Sequence, residues 1–444
     1  MDRSTRRVGA RDIILALSVA AVLYLLFAHR SDEPYVLGYS LFYIGCLCLF
    51  AGGVVFTAAL FRRFKSSAWY AIGAIILPFT LAGVLIEICA QVYALRNPSY
   101  EVLYVQPDRP TGWKLVPNFH FIWAGPHWAA FEFSTPVVTN SAGYRDLERT
   151  VEKPADVVRV ALLGDSLIEA LQVPFERTAG QVLERSLNAG ERSAAAGRKF
   201  EVLNFGVSAY GLGQYLLTWQ HYARAYKPDY VFAYVARFHM IRTVSKGGML
   251  TQGLQELSVR PTFTLQSNEL VLEPAVHYEE FFAAQRKMIE SQLGGQRMQK
   301  RSPGLFLRKL VDEVSTRVTR LQRDLMRRHV APPSEFTAEV QAINMRILEE
   351  LNKSVHESGA RLILVDAIRS HGGSLELSES LKSLCAREGI GYANVSDDLL
   401  DKEHKGITTT RAYDGHFNEI GNEVLAAVMH RWMTTSQHEN GHQN

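Results

Sequence analysis

Two short stretches, far apart in the chain, hold residue types suited to nucleophilic catalysis: Gly164-Asp165-Ser166-Leu167 and Asp414-Gly415-His416-Phe417-Asn418. A serine hydroxyl is a weak nucleophile until a base takes its proton, and a histidine base works best when a carboxylate orients it. Asp414 and His416 are two residues apart, with Gly415 relaxing the backbone between them. That spacing lets the carboxylate accept from one ring nitrogen while the other faces a serine. Neither stretch decides anything alone. Gly-Asp-Ser is ordinary turn and cap chemistry, and Asp-x-His before a helix is equally an N-cap beside a surface histidine. Together, in the order Ser…Asp…His, they point to one shared site.

The elements around them must bring these stretches together. Val157 to Leu163 is a β-rich run, too short for a helix and stopped by Gly164. Ser166 is therefore expected at the carboxyl end of a strand, the edge where open α/β sheets bind ligands. Backbone N–H groups just after such a junction lack intrahelical partners and can face a developing negative charge. Downstream, strands and helices alternate. Helix 176–187, strand 200–205, helix 214–226 and strand 230–236 come first; helix 337–358, strand 361–366, helix 378–388, a short strand near Tyr392 and helix 418–432 come after. This pattern predicts βαβ units and a parallel sheet covered on both faces.

The chain has 444 residues, enough for two or three units, and its net charge of +3 is too mild to argue for nucleic acid. Its apolar residues crowd the first hundred positions, in Ile13 to Phe27, Tyr39 to Phe61 and Ala68 to Tyr93. The last two are long enough to span a bilayer, which takes about 20 residues; the first is shorter. It has a basic start but no small-x-small cleavage site, so it reads as a retained helix rather than a signal peptide. Arg3, Arg6, Arg7 and Arg11 precede the first stretch, and Arg62, Arg63 and Lys65 separate the second from the third. The positive-inside bias then puts the N-terminus in the cytoplasm and everything after Arg96 outside. Glu87, inside the third stretch, is either a functional intramembrane carboxylate or, more ordinarily, one that snorkels or packs among the helices. Cys46, Cys48 and Cys89 fall in the spans and Cys385 has no partner outside them, so no disulfide is expected; no spacing suggests a metal site or a cofactor.

The expected organisation is a membrane anchor over 1–96, an irregular β-rich lead-in over 97–155, an α/β domain over 156–435 and a polar tail over 436–444. The lead-in is rich in aromatics (Trp113, Phe119, Phe121, Trp123, Trp128, Phe131, Phe133), which either stack on sugar rings or, as is commoner, form core. The α/β domain is interrupted at about 240–335 by a segment too long for a simple loop. It holds a hairpin-like pair around Gln266-Ser267-Asn268 and a basic amphipathic helix near 305–328. Such a helix either lies on anionic lipid or an acidic polymer, or simply packs its apolar stripe and solvates its charges.

The combined motifs resemble those of the SGNH/GDSL hydrolase superfamily. Gly164-Asp165-Ser166-Leu167 spells GDSL, and Asp414-Gly415-His416-Phe417-Asn418 resembles the terminal Asp/His block. Val202 to Gly211 looks like the second block, Lys227-Pro228-Asp229 before strand 230–236 also fits, and so does Asn140 to Asp146. The resemblance covers 110–240 and 337–434. It implies a three-layer sandwich with a flavodoxin-like parallel sheet, with Ser166 as nucleophile, His416 as general base and Asp414 as its orienter. Asp165 would be a structural residue of the turn. The oxyanion donors would be the Ser166 and Gly206 N–H groups, with an asparagine expected after the third strand. None stands there. His239 falls at about that place, and its readings are an imidazole donor or a strand-end cap; Arg237 is a further candidate donor.

The function expected is a membrane-anchored, extracytoplasmic serine enzyme acting on acyl esters, acetyl esters of a glycan before lipid esters. Water as acceptor would make it an esterase; a sugar hydroxyl would make it an O-acyltransferase, with a membrane acyl donor as a possible partner. The rival from another class is a weak or inactive binding or assembly subunit of a polysaccharide system, which the absent asparagine favours and the Ser, Asp and His disfavour.

Overall fold

The computed structural model describes residues 100–125, 132–190, 198–246, 259–293, 298–300 and 336–440, with isolated positions between 89 and 98. The apolar stretches before residue 89, with Glu87, and the basic helix expected near 305–328 lie outside the described residues, as do Trp128 and Phe131. Among the described residues no helix is long and apolar enough to cross a membrane. Residues 100–125, 131–299 and 333–444 form one compact unit.

Two antiparallel hairpins open it: β1 (Val105–Asp108) with β2 (Gly112–Leu115), and β3 (His120–Ala124) with β4 (Ser134–Val138). The alternating part then runs β5 (Val157–Leu163), α1 (Ser166–Glu169), α2 (Ala179–Asn188), β6 (Lys199–Asn204), α3 (Leu212–His221), β7 (Tyr230–Val235) and α4 (Arg237–Val244). A second hairpin region comes next, β8 (Thr262–Gln266) with β9 (Glu269–Glu273), then α5 (Tyr278–Leu293). The chain closes with α6 (Ala338–Glu357), β10 (Arg361–Asp366), α7 (Leu375–Glu388), β11 (Gly391–Asn394), α8 (Ser396–His404) and α9 (Glu419–Asn440).

The five strands of the central sheet lie in the order β11-β10-β7-β5-β6, and every neighbouring pair is parallel. Counted from β5, this is the 2-1-3-4-5 order of the flavodoxin-like fold, with the switch point between β5 and β7. Side chains alternate across it. Ala161 and Leu163 face a cluster with Leu216 and Trp219 of α3 and Ile347 and Leu351 of α6. Val160 and Leu162 face the other side, with Leu183 of α2 and Leu425 and Met429 of α9. Two helical layers therefore sandwich the sheet, as the alternation of short apolar strands with amphipathic helices demands.

The lead-in aromatics are divided between core and margin. Trp113 and Phe121 are buried in the first cluster, and Trp113 also donates its indole N–H to the Ser208 carbonyl at 3.0 Å. Phe119 and Trp123 are only partly buried. The β8–β9 hairpin turns through Ser267 and Asn268, at φ 50° and 67°, the paired left-handed geometry of a two-residue turn that matches strand twist.

One strand residue departs from its apolar surroundings. Arg159 of β5 is fully buried, pairs with Glu201 at 2.9 Å and donates to the Thr150, Val151 and Tyr226 carbonyls. Its charge is thus compensated at the end of the strand remote from Ser166.

Candidate active site

Ser166 begins α1, a single turn capped by Asp165, whose carboxylate accepts from the Leu167 N–H at 3.0 Å. The turn is built by close packing. A Cβ on Gly164 would sit 2.0 Å from Ile168 Cγ1, so only glycine lets α1 fold back against the end of β5. Arg145, buried, fixes the far end of the turn: it donates to the Glu169 carbonyl at 3.3 Å, to the Ala170 carbonyl, and to the Val173 carbonyl at 2.7 Å. Arg145→Leu should leave these buried acceptors unpaired and lower unfolding stability by about 3 kcal/mol. Denaturant unfolding of the purified chain checks this; an unchanged midpoint would mean the clamp is not needed.

The second half of the site is a loop tied off by a bridge between Thr410 and Phe417. Arg411 N–H donates to the His416 carbonyl at 2.7 Å, and Gly415 N–H donates to the Arg411 carbonyl at 2.9 Å. Gly415 adopts φ +80°, which a side chain would oppose. Glu132 accepts from the Tyr413 and Asp414 N–H groups at 3.2 and 3.3 Å, and Phe417 anchors the loop in the core.

These two halves meet. His416 Nδ1 lies 2.6 Å from Asp414 Oδ1, and His416 Nε2 lies 2.9 Å from Ser166 Oγ. With neutral imidazole, Nδ1–H donates to the carboxylate and Nε2 is left to accept from the serine hydroxyl. Burial pushes the His416 pKa down. The bond to Asp414 and its charge, with Asp165 and Glu169 further away, outweigh that and hold it above the ordinary histidine value. All three residues proposed from the sequence for the Ser–His–Asp line are thus brought together, on the carboxyl edge of the sheet beside its switch point.

Asp165 stands apart from that line. Arg242 donates to its Oδ2 at 2.6 Å and His239 Nε2 lies 3.1 Å from the same oxygen. Burial alone would push its carboxyl up, yet His239, Arg242 and the Leu167 N–H together hold it well below the usual carboxylate range. His239, itself fully buried, is held by that burial below its ordinary value. The full counter-charge to Asp165 is therefore Arg242, with neutral His239 contributing an N–H dipole. At 3.1 Å His239 Nε2 is in close polar contact with that carboxylate.

Two of the expected oxyanion donors must be corrected. His239 accepts from the Ala236 N–H through Nδ1 at 3.0 Å and turns Nε2 to Asp165, so both nitrogens face the protein. The strand-end cap is the reading that matches its place. Gly206 N–H is also engaged, donating to Asn204 Oδ1 at 2.8 Å. Glycine is needed there because a Cβ would come within 2.6 Å of the Glu169 nitrogen, beneath α1. Arg237, the other candidate, lies with its guanidinium over the Phe336 ring, 5.4 Å from the centroid.

The loop after β6 does run beside the serine. Val207 N–H donates to the Gly164 carbonyl at 3.2 Å, and Ser208 Oγ donates to Glu169. Ala209 comes next at φ +67°. Among the described residues, the Ser166 and Ala209 N–H groups have no hydrogen-bond partner, which leaves them as the amides open to a developing oxyanion.

Sequence reasoning also missed Glu169. It is fully buried one helical turn past Ser166, and burial pushes its carboxyl up to about 7 against the pull of Ser208 and Arg145. Nothing local signals this, because its partners Ser208 and Arg145 stand far along the chain.

No protein-family model matches the chain, and no curated protein matches it in sequence. Solved structures are similar to it in fold. A protein assigned to the lipolytic G-D-S-L family from Desulfitobacterium hafniense is 11% identical with a TM-score of 0.32, over 62% of this chain and 99% of that one. A catalytic mutant of an acetylxylan esterase from Geobacillus stearothermophilus is 11% identical with a TM-score of 0.33, over 62% and 93%. An α/β hydrolase from the metagenome of Lake Arreo, Spain, is 12% identical with a TM-score of 0.34, over 62% and 94%. At such scores the likeness carries no mechanism, and the chemistry rests on the distances within the site.

Proposed function

We propose that the chain is a serine enzyme of acyl-ester chemistry. Ser166 Oγ attacks the ester carbonyl as His416 Nε2 takes its proton; Asp414 steadies the imidazolium and the open amides face the oxyanion. The proton then passes to the departing alkoxide, the alcohol leaves, and an acyl-Ser166 remains. His416 next deprotonates the acceptor, whose oxygen attacks the acyl carbon, and the proton returns to Ser166 Oγ as its bond to the acyl group breaks. Water would release the acid, and a sugar hydroxyl would take the acyl group instead. The unbroken Asp414–His416–Ser166 line, at 2.6 and 2.9 Å, is the observation that carries this reading. It favours an enzyme over a binding subunit, because a binding role needs no such alignment.

The finer reading is a membrane-anchored enzyme whose catalytic domain faces away from the cytoplasm and works on acyl groups, acetyl first, of an envelope or secreted glycan. Its support is the three apolar stretches with their flanking arginines and the partly exposed lead-in aromatics. The purified full-length chain should turn over a nitrophenyl acetate with a burst of nitrophenol, and added glycans should divert acetyl from water if it is a transferase. Silence toward several acyl esters would overturn the enzyme reading. A reporter fused after Asn444 should read as extracytoplasmic; a cytoplasmic signal would overturn the location and the glycan substrate together.

A further inference from the structure

A second histidine borders the site, and its tautomer is fixed. His371 ends a 3-10 turn (Arg369–His371) after β10, and Tyr234 lies near the end of the adjacent β7. Tyr234 Oη is 2.7 Å from His371 Nε2. The Tyr234 hydroxyl is buried and has no other partner among the described residues, so its proton must go to His371. Burial also pushes the tyrosine pKa well above its ordinary value, so that proton stays on the oxygen. Nε2 therefore accepts, and the ring proton is left on Nδ1.

The ring cannot easily turn. It lies edge-on to Phe238 at 5.4 Å and against Phe417, the neighbour of His416, at 5.9 Å between centroids. Its turn is held from below, where Ser396 Oγ accepts from the Arg369 and Ser370 N–H groups at 3.1 and 3.2 Å. No described residue accepts from Nδ1, and the residue is partly exposed. Burial above all pushes the His371 pKa down to about 4, so it stays neutral where His416 works as a base. A neutral, oriented donor is thus presented at the carboxyl edge of the sheet, with no acceptor among the described residues.

We propose that His371 donates its Nδ1–H to an oxygen of the bound acyl ester, with Tyr234 as the residue that positions it. The inference rests on the ester chemistry proposed for Ser166. It gives the substrate a side-chain donor on the β10 side of the site, in place of His239 and Arg237, the side chains the sequence offered.

The test compares His371→Phe, His371→Gln and Tyr234→Phe in the full-length chain, using steady-state hydrolysis of a nitrophenyl acetate and thermal midpoints. Phenylalanine keeps the ring between Phe238 and Phe417 but cannot donate. Glutamine can accept from Tyr234 and donate from its amide. His371→Phe should lower kcat about a hundred- to a thousandfold, the effect of losing a donor to a charge-developing oxygen, with KM within about twofold. His371→Gln should recover most of that loss, and Tyr234→Phe should cost about three- to tenfold by freeing the tautomer. Unchanged kcat in His371→Phe would overturn the proposal. So would equal losses in the Phe and Gln variants at unaltered midpoints, which would reduce His371 to a wedge. A wild-type chain that is silent toward esters would instead sink the Ser166 reading, and this inference with it.

Discussion

Ser166→Ala should abolish ester turnover, lowering kcat by about four orders of magnitude or more, as loss of the nucleophile does where serine, histidine and carboxylate act as a unit. The loss should come without unfolding. Among the described residues Ser166 Oγ has one hydrogen-bond partner, His416 Nε2, while the turn itself is held by Asp165, Gly164 and Arg145. Removing the oxygen therefore takes away chemistry and little packing. A fluorophosphonate should label the wild type at one residue, and peptide mass mapping should place the adduct on Ser166. Turnover that survives the substitution, or an adduct elsewhere, would defeat the nucleophile assignment. Ser208, on the loop beside the site, donates to Glu169 and so has a carboxylate in place of an imidazole beside it. It is poorly placed to take over.

How far the chain could be read depended on how local each device is. Ser166 and the Asp414–His416 pair were legible because each is a short motif on a turn that its own residues specify. Gly164, Gly415 and the cap at Asp165 are all within a few positions of the group they place. The sheet was legible for the same reason, since its strands are short apolar runs separated by amphipathic helices. His239 misled because counting along a strand says nothing about the conformation of the chain beyond its end. Ala236 opens α4, so the ring three residues on folds back to its own cap N–H instead of toward the substrate. Gly206 misled because Asn204, two residues earlier, takes its N–H. Arg159 was read inside an apolar run because its compensation comes from Glu201 and from carbonyls of the Thr150–Val151 segment and Tyr226. His371 and Glu169 were invisible for the most general reason. Their roles come from partners far along the chain, Tyr234 at 137 positions and Ser208 at 39.

The acid limb of the pH profile should belong to His416. The histidine acts only when neutral, and Asp414 holds its pKa above the ordinary value of 6.5 despite burial. kcat/KM should therefore be low in acid, rise as pH passes through a midpoint above 6.5, and level off once the imidazole is neutral. Asp414→Asn removes the charge that offsets burial, so burial then dominates and the midpoint should fall. The plateau should fall as well, by about 10³- to 10⁴-fold, because the amide no longer enforces the Nδ1–H tautomer or stabilises the imidazolium. A lower midpoint with a lower plateau is a signature that simple unfolding does not produce. Glu169 complicates the wild-type curve, since its buried carboxyl is pushed up to about 7 and titrates in the same window. Protonating it removes a negative charge that favours protonated His416, so the two groups shift each other. Glu169→Gln separates them. A limb that stays in place, or slides modestly to lower pH, belongs to His416. A limb that vanishes with Glu169 would move the working base from His416 to the carboxylate one turn beyond the nucleophile.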